Sequence, residues 1–414
     1  MMKSYIYPYY YFINEKAFRW IVIVLLFMLY VYDFVQRNYG FSYSDEIIVG
    51  LLFLCWTMKA KHKSKDFYIL LCIFCVYLIN SFIDPHNVTV AILSDFIQQL
   101  KPFAAFYCIY DLGIYLNARC RRRLRRLCLL LVTIMIPIGC INIGGGNFMN
   151  NLFGGHARFS SLAVCLGTTY YYFSNRNKHA LWVCFMIYAV GLFSTRSKMF
   201  GFYAAAMIIF FLWNIKNMKR IKLVNVKNIL LLVVLLVGIF YAAREKILFY
   251  FVDGYNATNM FARPLLYVKA LEILADFPFL GAGFGSYATD ASAQFYSPLY
   301  YQYDLYLNPE IGNGLFISDT WFPVLAQFGY VGVCLYVLFW RSVLLKAKAK
   351  YELMQNRSEL RIAILIMVFI FIESVADSTF TQNRNVHDDV IGIKCEVYKW
   401  GLRRGKMRII CIYE

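Results

Sequence analysis

The chain is dominated by apolar runs close to the roughly 20 residues that a helix needs to cross a bilayer. They fall at 20–35, 46–58, 67–83, 91–116, 127–143, 159–173, 180–193, 199–213, 228–242, 320–343 and 360–376. Inside lipid every backbone polar group must be satisfied within the segment, so such runs can only be helices. The expected fold class is therefore an all-α, polytopic integral membrane protein of about 11 transmembrane helices (10–12), with one large external loop containing short helices. Composition agrees: 60% of residues are hydrophobic and only 16% are charged. That excludes a soluble enzyme, a disulfide scaffold or a disordered chain. The first run lacks a small-residue cleavage site and reads as a retained signal anchor.

The net charge of +18 acquires meaning once it is sorted by side. With the N-terminus inside, segments 1–19, 59–66, 117–126, 174–179, 214–227 and 341–361 are cytoplasmic and hold 26 of the 42 Lys and Arg residues. The opposite loops (36–46, 84–90, 144–158, 194–198 and 243–319) hold eight. That asymmetry is the positive-inside rule. It also accounts for the densest basic cluster, "ARCRRRLRR" at 118–126, without nucleic acid. The expected organisation is 1–242 N-terminal helices (about nine), 243–319 large external loop, 320–376 two C-terminal helices and 377–414 an atypical basic tail. That tail breaks the map: it should lie outside, yet it carries seven basic residues beyond residue 383. Either one crossing is uncounted or the reading frame has shifted near Gln382.

Within the large loop, "ARPLLYVKALEILADFP" reads as a helix ending before Pro278. Leu266, Ala270, Ile273, Leu274 and Phe277 form its apolar face, and Lys269, Glu272 and Asp276 its polar one. Gly281, Gly283 and Gly285 in "LGAGFGS" suit tight turns or close backbone approach. The tyrosines that follow, Tyr300 and Tyr301 among them, could stack on sugar faces, although tyrosine is common throughout this chain.

Few external cations remain: chiefly Arg158, Arg196, Lys198, Arg244, Lys246, Arg263 and Lys269. Arg196 and Lys198 sit between two adjacent apolar runs. Charge there is either an interfacial anchor or part of a functional site. Guanidinium groups converging on one pocket would match phosphate oxygens in bidentate fashion and neutralise a departing diphosphate. The dispersed histidines have no metal-ligand spacing. His86 and His156 could act as bases, or could simply be solvated.

Three segments carry a resemblance: "STRSKMFGFYAAAMIIFF", "RPLLYVKALEILADFPFLGAGFGSY" and "ISDTWFPVLAQFGYVGVCLYVLFW". Their order, spacing and sidedness are similar to those of the O-antigen ligase–polymerase superfamily (Wzy-like proteins), over roughly residues 150–380. "GGHARFSS" is similar to an earlier element of the same pattern, with Ser161 where Gly is common. The resemblance implies an inverting, metal-independent glycosyltransferase without cofactor, acting on undecaprenyl-diphosphate-linked oligosaccharide in the bacterial inner (cytoplasmic) membrane, with the active site facing the periplasm. Membrane lipid, a chain-length regulator and a flippase are its expected partners, and nucleic acid is not. It implies diphosphate binding by Arg158, Arg196 and Arg263, with Arg196 and Arg263 also catalytic; Lys198 and Arg244, as external cations, are further substrate-binding candidates. Ligases of the superfamily place a histidine where this chain reads Ser318, Asp319 and Thr320. Its absence favours a repeat-unit polymerase and leaves Asp319 as either a base or a helix cap. A transporter or flippase for the same lipid-linked sugar, and an O-antigen ligase, are the alternatives.

The charge map is directly testable. Alkaline phosphatase fused after residue 300 is expected to be active, and after residue 122 inactive. The reverse pattern would overturn the orientation.

Overall fold

The computed structural model describes residues 15–39, 44–60, 63–112, 117–146, 148–174, 178–213, 260–354, 358–378 and 380–381. Among them there are helices and no strands. Ten of the eleven apolar runs coincide with helices, while the run 228–242, Arg244, Lys246 and the tail beyond residue 381 lie outside the described residues. The first nine helices are α1 (Glu15–Tyr39), α2 (Ser44–Lys59), α3 (Lys65–Ile83), α4 (Thr89–Leu112), α5 (Ala118–Ile143), α6 (Phe148–Phe153), α7 (His156–Phe173), α8 (Lys178–Gly191) and α9 (Ser197–Trp213). The large loop contributes α10 (Ala262–Asp276), α11 (Asp290–Gln294) and two single turns, Leu299–Gln302 and Pro309–Gly312. α12 (Gly329–Met354) and α13 (Ser358–Ser374) complete the described chain.

Three of these stretches, Lys65–Ile83, Ala118–Ile143 and Phe322–Ala349, are long and apolar enough to cross a membrane. Four more helices are apolar but shorter. Large apolar side chains such as Phe27, Leu54, Ile69, Ile79 and Leu130 point outward, which is tolerable in lipid and costly in water. These features describe a membrane protein.

α5 begins nine residues before its apolar run, because Asn117 caps it by accepting the Cys120 N–H at 2.8 Å and arginine is a good helix former. Six cations in the first turns oppose the helix dipole, so topology rather than local helix energetics accounts for them. α7 is buried on every side from Phe159 to Phe173 and packs against α5, α8 and α13. It is the centre of the bundle. Its Gly167 lies against the Tyr188 ring of α8, where a Cβ would come within 2.5 Å.

α2 and α4 run parallel in a fixed register. Lys101 pairs with Glu46 at 2.6 Å and Trp56 Nε1 donates to Asp111 at 2.8 Å, each across 55 residues of sequence. Since Glu46 is in the first turn of α2, that helix starts level with Lys101. The first three turns of α4 therefore have no α2 beside them, and the glycine-rich loop occupies that space.

The predicted loop helix is present as α10. Leu266, Ala270 and Ile273 are buried, Leu274 and Phe277 are half-buried, and Lys269 pairs with Glu272 at 2.7 Å. Gly281, Gly283 and Gly285 all have positive φ (+70°, +82° and +69°). The approach is tightest at Gly281, where a Cβ would lie 2.4 Å from the Gln327 backbone; at Gly285 it would lie 2.9 Å from the Ala91 backbone of α4.

The loop is fastened to the bundle by one carboxylate. Asp95 of α4 is fully buried. One of its oxygens accepts the Gly285 N–H and the Gln327 amide, both at 2.8 Å. The other accepts the Gln99 amide at 3.1 Å. Ser81 Oγ accepts the Phe284 N–H at 2.8 Å, and Tyr77 donates to the Phe328 carbonyl at 2.9 Å. The segment expected to open the penultimate helix is instead a 3-10 stretch, Phe322–Phe328. α12 follows only at Gly329, where φ is +63°. Pro323 near the start and the glycine at the end bound the tighter turn.

Asp95→Ala is expected to cost about 3 kcal/mol, because each buried donor left unsatisfied costs about 1–3 kcal/mol. Thermal unfolding in detergent, with protease sensitivity of residues 281–328, checks it. Asp95→Asn keeps an acceptor for Gly285 and should lose less.

Candidate functional site

The chain between α8 and α9 makes a sharp corner. Leu192–Ser194 forms one 3-10 turn, Thr195 takes φ 55°, and Arg196 follows immediately before α9. His156, in the first turn of α7, donates from Nδ1 to the Ser194 carbonyl at 2.9 Å. A carbonyl only accepts, so the contact fixes the tautomer. His156 is thus a brace for the Arg196 corner rather than a solvated loop residue. Arg158 is half-buried two residues further along the same turn.

Arg196 and Lys198 face the end of α13. Arg196 lies 3.4 Å from Glu373 and 3.5 Å from Asp377. Lys198 lies 2.9 Å from the same Glu373 carboxylate and 3.8 Å from Asp377. It also donates to the carbonyls of Glu373 at 3.3 Å and Ala376 at 2.9 Å, where a cation complements the helix dipole. Lys198 therefore closes the end of α13, whereas Arg196 holds its carboxylates at longer range.

Arg263, in the first turn of α10, donates to Asp319 at 2.7 Å, and its guanidinium lies 5.6 Å from the centre of the Phe316 ring. Asp319 is no helix cap: the N-cap position of the 3-10 stretch that follows is Trp321, and no side chain caps it. Arg196, Lys198 and Arg263 are thus held against carboxylates, two of which, Glu373 and Asp377, sequence reasoning missed. Their distance in sequence from Arg196 hides the pairing.

A further titratable carboxylate stands at the start of α11. Asp290 opens α11 and remains accessible to water although protein surrounds it. That loss of bulk solvent pushes its carboxyl above the usual range. The hydrogen bond from Ser318 and the charge of Lys101 pull it down, while Asp319 and Asp377 add to the rise. Asp290 thus lies within electrostatic reach of Asp319, which holds Arg263, and of Asp377, which holds Arg196 and Lys198. No motif marked it: a lone Asp after Thr289 reads only as a helix start.

Three of the four non-glycine residues with positive φ among the described residues stand next to these groups in the chain or in space. Thr195 precedes Arg196, Ala288 stands two residues before Asp290, and Phe316 stacks on Arg263. Such strain persists only where the surroundings enforce it and is common at functional sites. At Ala288 the enforcing group is Tyr300. Its hydroxyl accepts the Ala288 N–H at 2.9 Å and shares a 2.7 Å bond with Ser292. Tyr300 is accordingly a fully buried core residue with no ring face left for a sugar. Tyr301 is 58% exposed and packs beside Tyr296 and Tyr306.

Fold and site together define a helical membrane protein with ion-paired groups where its large loop meets the bundle, Tyr267 of α10 donating to the Val375 carbonyl at 2.7 Å. A family model described as O-antigen ligase matches residues 179–337, a stretch containing Arg196, Lys198, Arg263, Asp290 and Asp319. The match supports the O-antigen ligase and polymerase superfamily and, with it, a role in polysaccharide assembly. No curated protein matches the chain.

Glu373 is 1% exposed and balances two cations. Breaking a buried ion pair by removing one partner costs about 3–5 kcal/mol. Glu373→Ala should approach that loss in thermal unfolding, with Glu373→Gln losing less.

Proposed function

We propose that the chain is a polymerase of lipid-linked oligosaccharide repeat units in O-antigen or capsule biosynthesis. The reaction is an inverting, metal-independent glycosyl transfer from an undecaprenyl-diphosphate-linked glycan to the next lipid-linked unit. The protein crosses the bacterial inner membrane about eleven times, with these charged groups on the periplasmic side. One observation carries this reading: Arg196 and Arg263, 67 positions apart in sequence, each pair with a carboxylate, and Tyr267, one turn along α10 from Arg263, donates at 2.7 Å to the Val375 carbonyl between Glu373 and Asp377, the partners of Arg196.

In this reading the carboxylates hold the guanidinium groups in place until the lipid arrives. The diphosphate oxygens then take over donors from Asp377 and Asp319, and the cations neutralise charge as the sugar–phosphate bond breaks. Arg158, beside the His156 brace, and Arg244 add further cations for the lipid headgroup. Lys198 contributes through the end of α13, and the exposed Tyr301 offers a ring to sugar. A ligase is the second reading, favoured by the description of the matching family; Asp319, paired with Arg263 where ligases place a histidine, argues for the polymerase.

Arg196→Ala and Arg263→Ala are each expected to abolish the long-chain ladder on a polysaccharide gel while single-repeat products persist. Normal ladders in both variants would overturn the diphosphate role. Long chains that accumulate on the lipid carrier without transfer would identify a ligase instead.

A further inference from the structure

We propose that the rings of Tyr301 and Tyr306 form a surface that holds the glycan beyond the sugar that reacts. This rests on the glycosyl-transfer reading above and adds to it a site for the neighbouring sugar units. Both rings are open to solvent, Tyr301 by 58% and Tyr306 by 42%. Their centres lie 5.3 Å apart, with the ring planes tilted by 39°.

The backbone is bent to bring them together. Residues five apart point to different faces of a helix. Here the turn Leu299–Gln302 and the 3-10 turn Leu305–Leu307 are joined through Asp304, whose φ of 58° redirects the chain. Asp304 is the fourth non-glycine residue with positive φ, and aspartate is among the few side chains that tolerate it. Gly312 then packs against the Tyr306 carbonyl, where a Cβ would come within 2.5 Å.

Behind the exposed pair stands a line of rings. Tyr301 packs on Tyr296 at 5.3 Å, Tyr296 on Tyr300 at 5.0 Å, and Tyr300 on Tyr287 at 5.9 Å. Tyr287 and Tyr300 are fully buried, so the surface rings are braced against the core of the large loop. A ligand that meets rings already held in place pays little ordering entropy on binding.

The same segment is tied to the start of α10. Asn308, two residues after Tyr306, donates to the Met260 carbonyl at 2.6 Å. The Glu310 carboxylate accepts the N–H of Ala262, the neighbour of Arg263, at 3.3 Å. The stretch that follows Tyr306 therefore runs beside the helix end that carries Arg263.

The chemistry selects a saccharide. A sugar ring offers C–H faces to an aromatic ring and hydroxyls to polar groups, and tyrosine has an apolar body with a polar tip. Gln302 and Asp304, both exposed, adjoin the two turns. Between Lys269 and Arg341 the chain has no Lys or Arg and six carboxylates. An anionic lipid headgroup would find no cation there, whereas an uncharged sugar needs none.

The test uses the full-length protein in lipid nanodiscs. The probe is the lipid-free oligosaccharide of the repeat unit, its binding followed by saturation-transfer NMR and calorimetry. Tyr301→Ala and Tyr306→Ala should each weaken binding by about tenfold, the scale of one lost aromatic contact. Tyr301→Phe, which keeps the ring, should lose less than Tyr301→Ala. In cells the double alanine variant should shift the polysaccharide ladder to shorter chains. Oligosaccharide affinity equal to the parent's in both alanine variants, or no binding of the oligosaccharide to the parent, would overturn the proposal. Alanine variants that bind sugar normally but unfold at lower temperature in nanodiscs than the parent would also overturn it, and would make the tyrosines a membrane anchor. Elongation is scored separately on lipid-linked units, so its absence in the parent would overturn the polymerase reading and leave the sugar site to be judged by its own binding.

Discussion

The buried carboxylate of Asp95 fixes how the large loop sits on the bundle. A charge so enclosed is tolerable only when its oxygens are satisfied, and here three donors from α4, the glycine-rich loop and the QFG segment converge on it. The consequences spread outward. Gly285 is drawn against the α4 backbone, a contact only glycine allows. The segment running on from Gly285 then lays α11 against α4. Gln327, held from the other side, fixes the stretch that presents Ser318 and Asp319. One ion-binding arrangement thus depends on a hydrogen-bonded junction that itself touches no substrate.

The second organising principle is charge balance. Arg196, Lys198, Arg263 and Lys101 are each matched by a carboxylate, and each match joins elements far apart in sequence. Isolated cations beside an apolar bundle would be costly and mobile; paired ones are preorganised. For a protein handling a diphosphate, this turns anion capture into an exchange of carboxylate for phosphate oxygen. Some desolvation is already in place before the ligand arrives.

Much of this architecture was legible in the amino-acid order. The helix Ala262–Asp276 follows from its 3.6-residue periodicity and from Pro278, and the special backbone at Gly281, Gly283 and Gly285 follows from residue type. Arg196 and Arg263 stood out because few cations remained once the basic loops were explained. Other features were less legible. The 3-10 stretch Phe322–Phe328 was hidden inside an apolar run that reads equally well as α-helix. Tyr300 looked like a sugar platform because tyrosine suits either a surface or a core, and only packing tells the two apart.

The sequence by itself determined that this chain is helical, that it partitions into lipid, and which cations are exceptional, because hydrophobic periodicity and residue chemistry are local properties. Only the tertiary structure decided which carboxylate meets which cation. Asp95 and Gln327 lie 232 residues apart, and Glu373 lies 177 residues from Arg196. No spacing rule links such positions. Their pairing follows from the packing of whole helices.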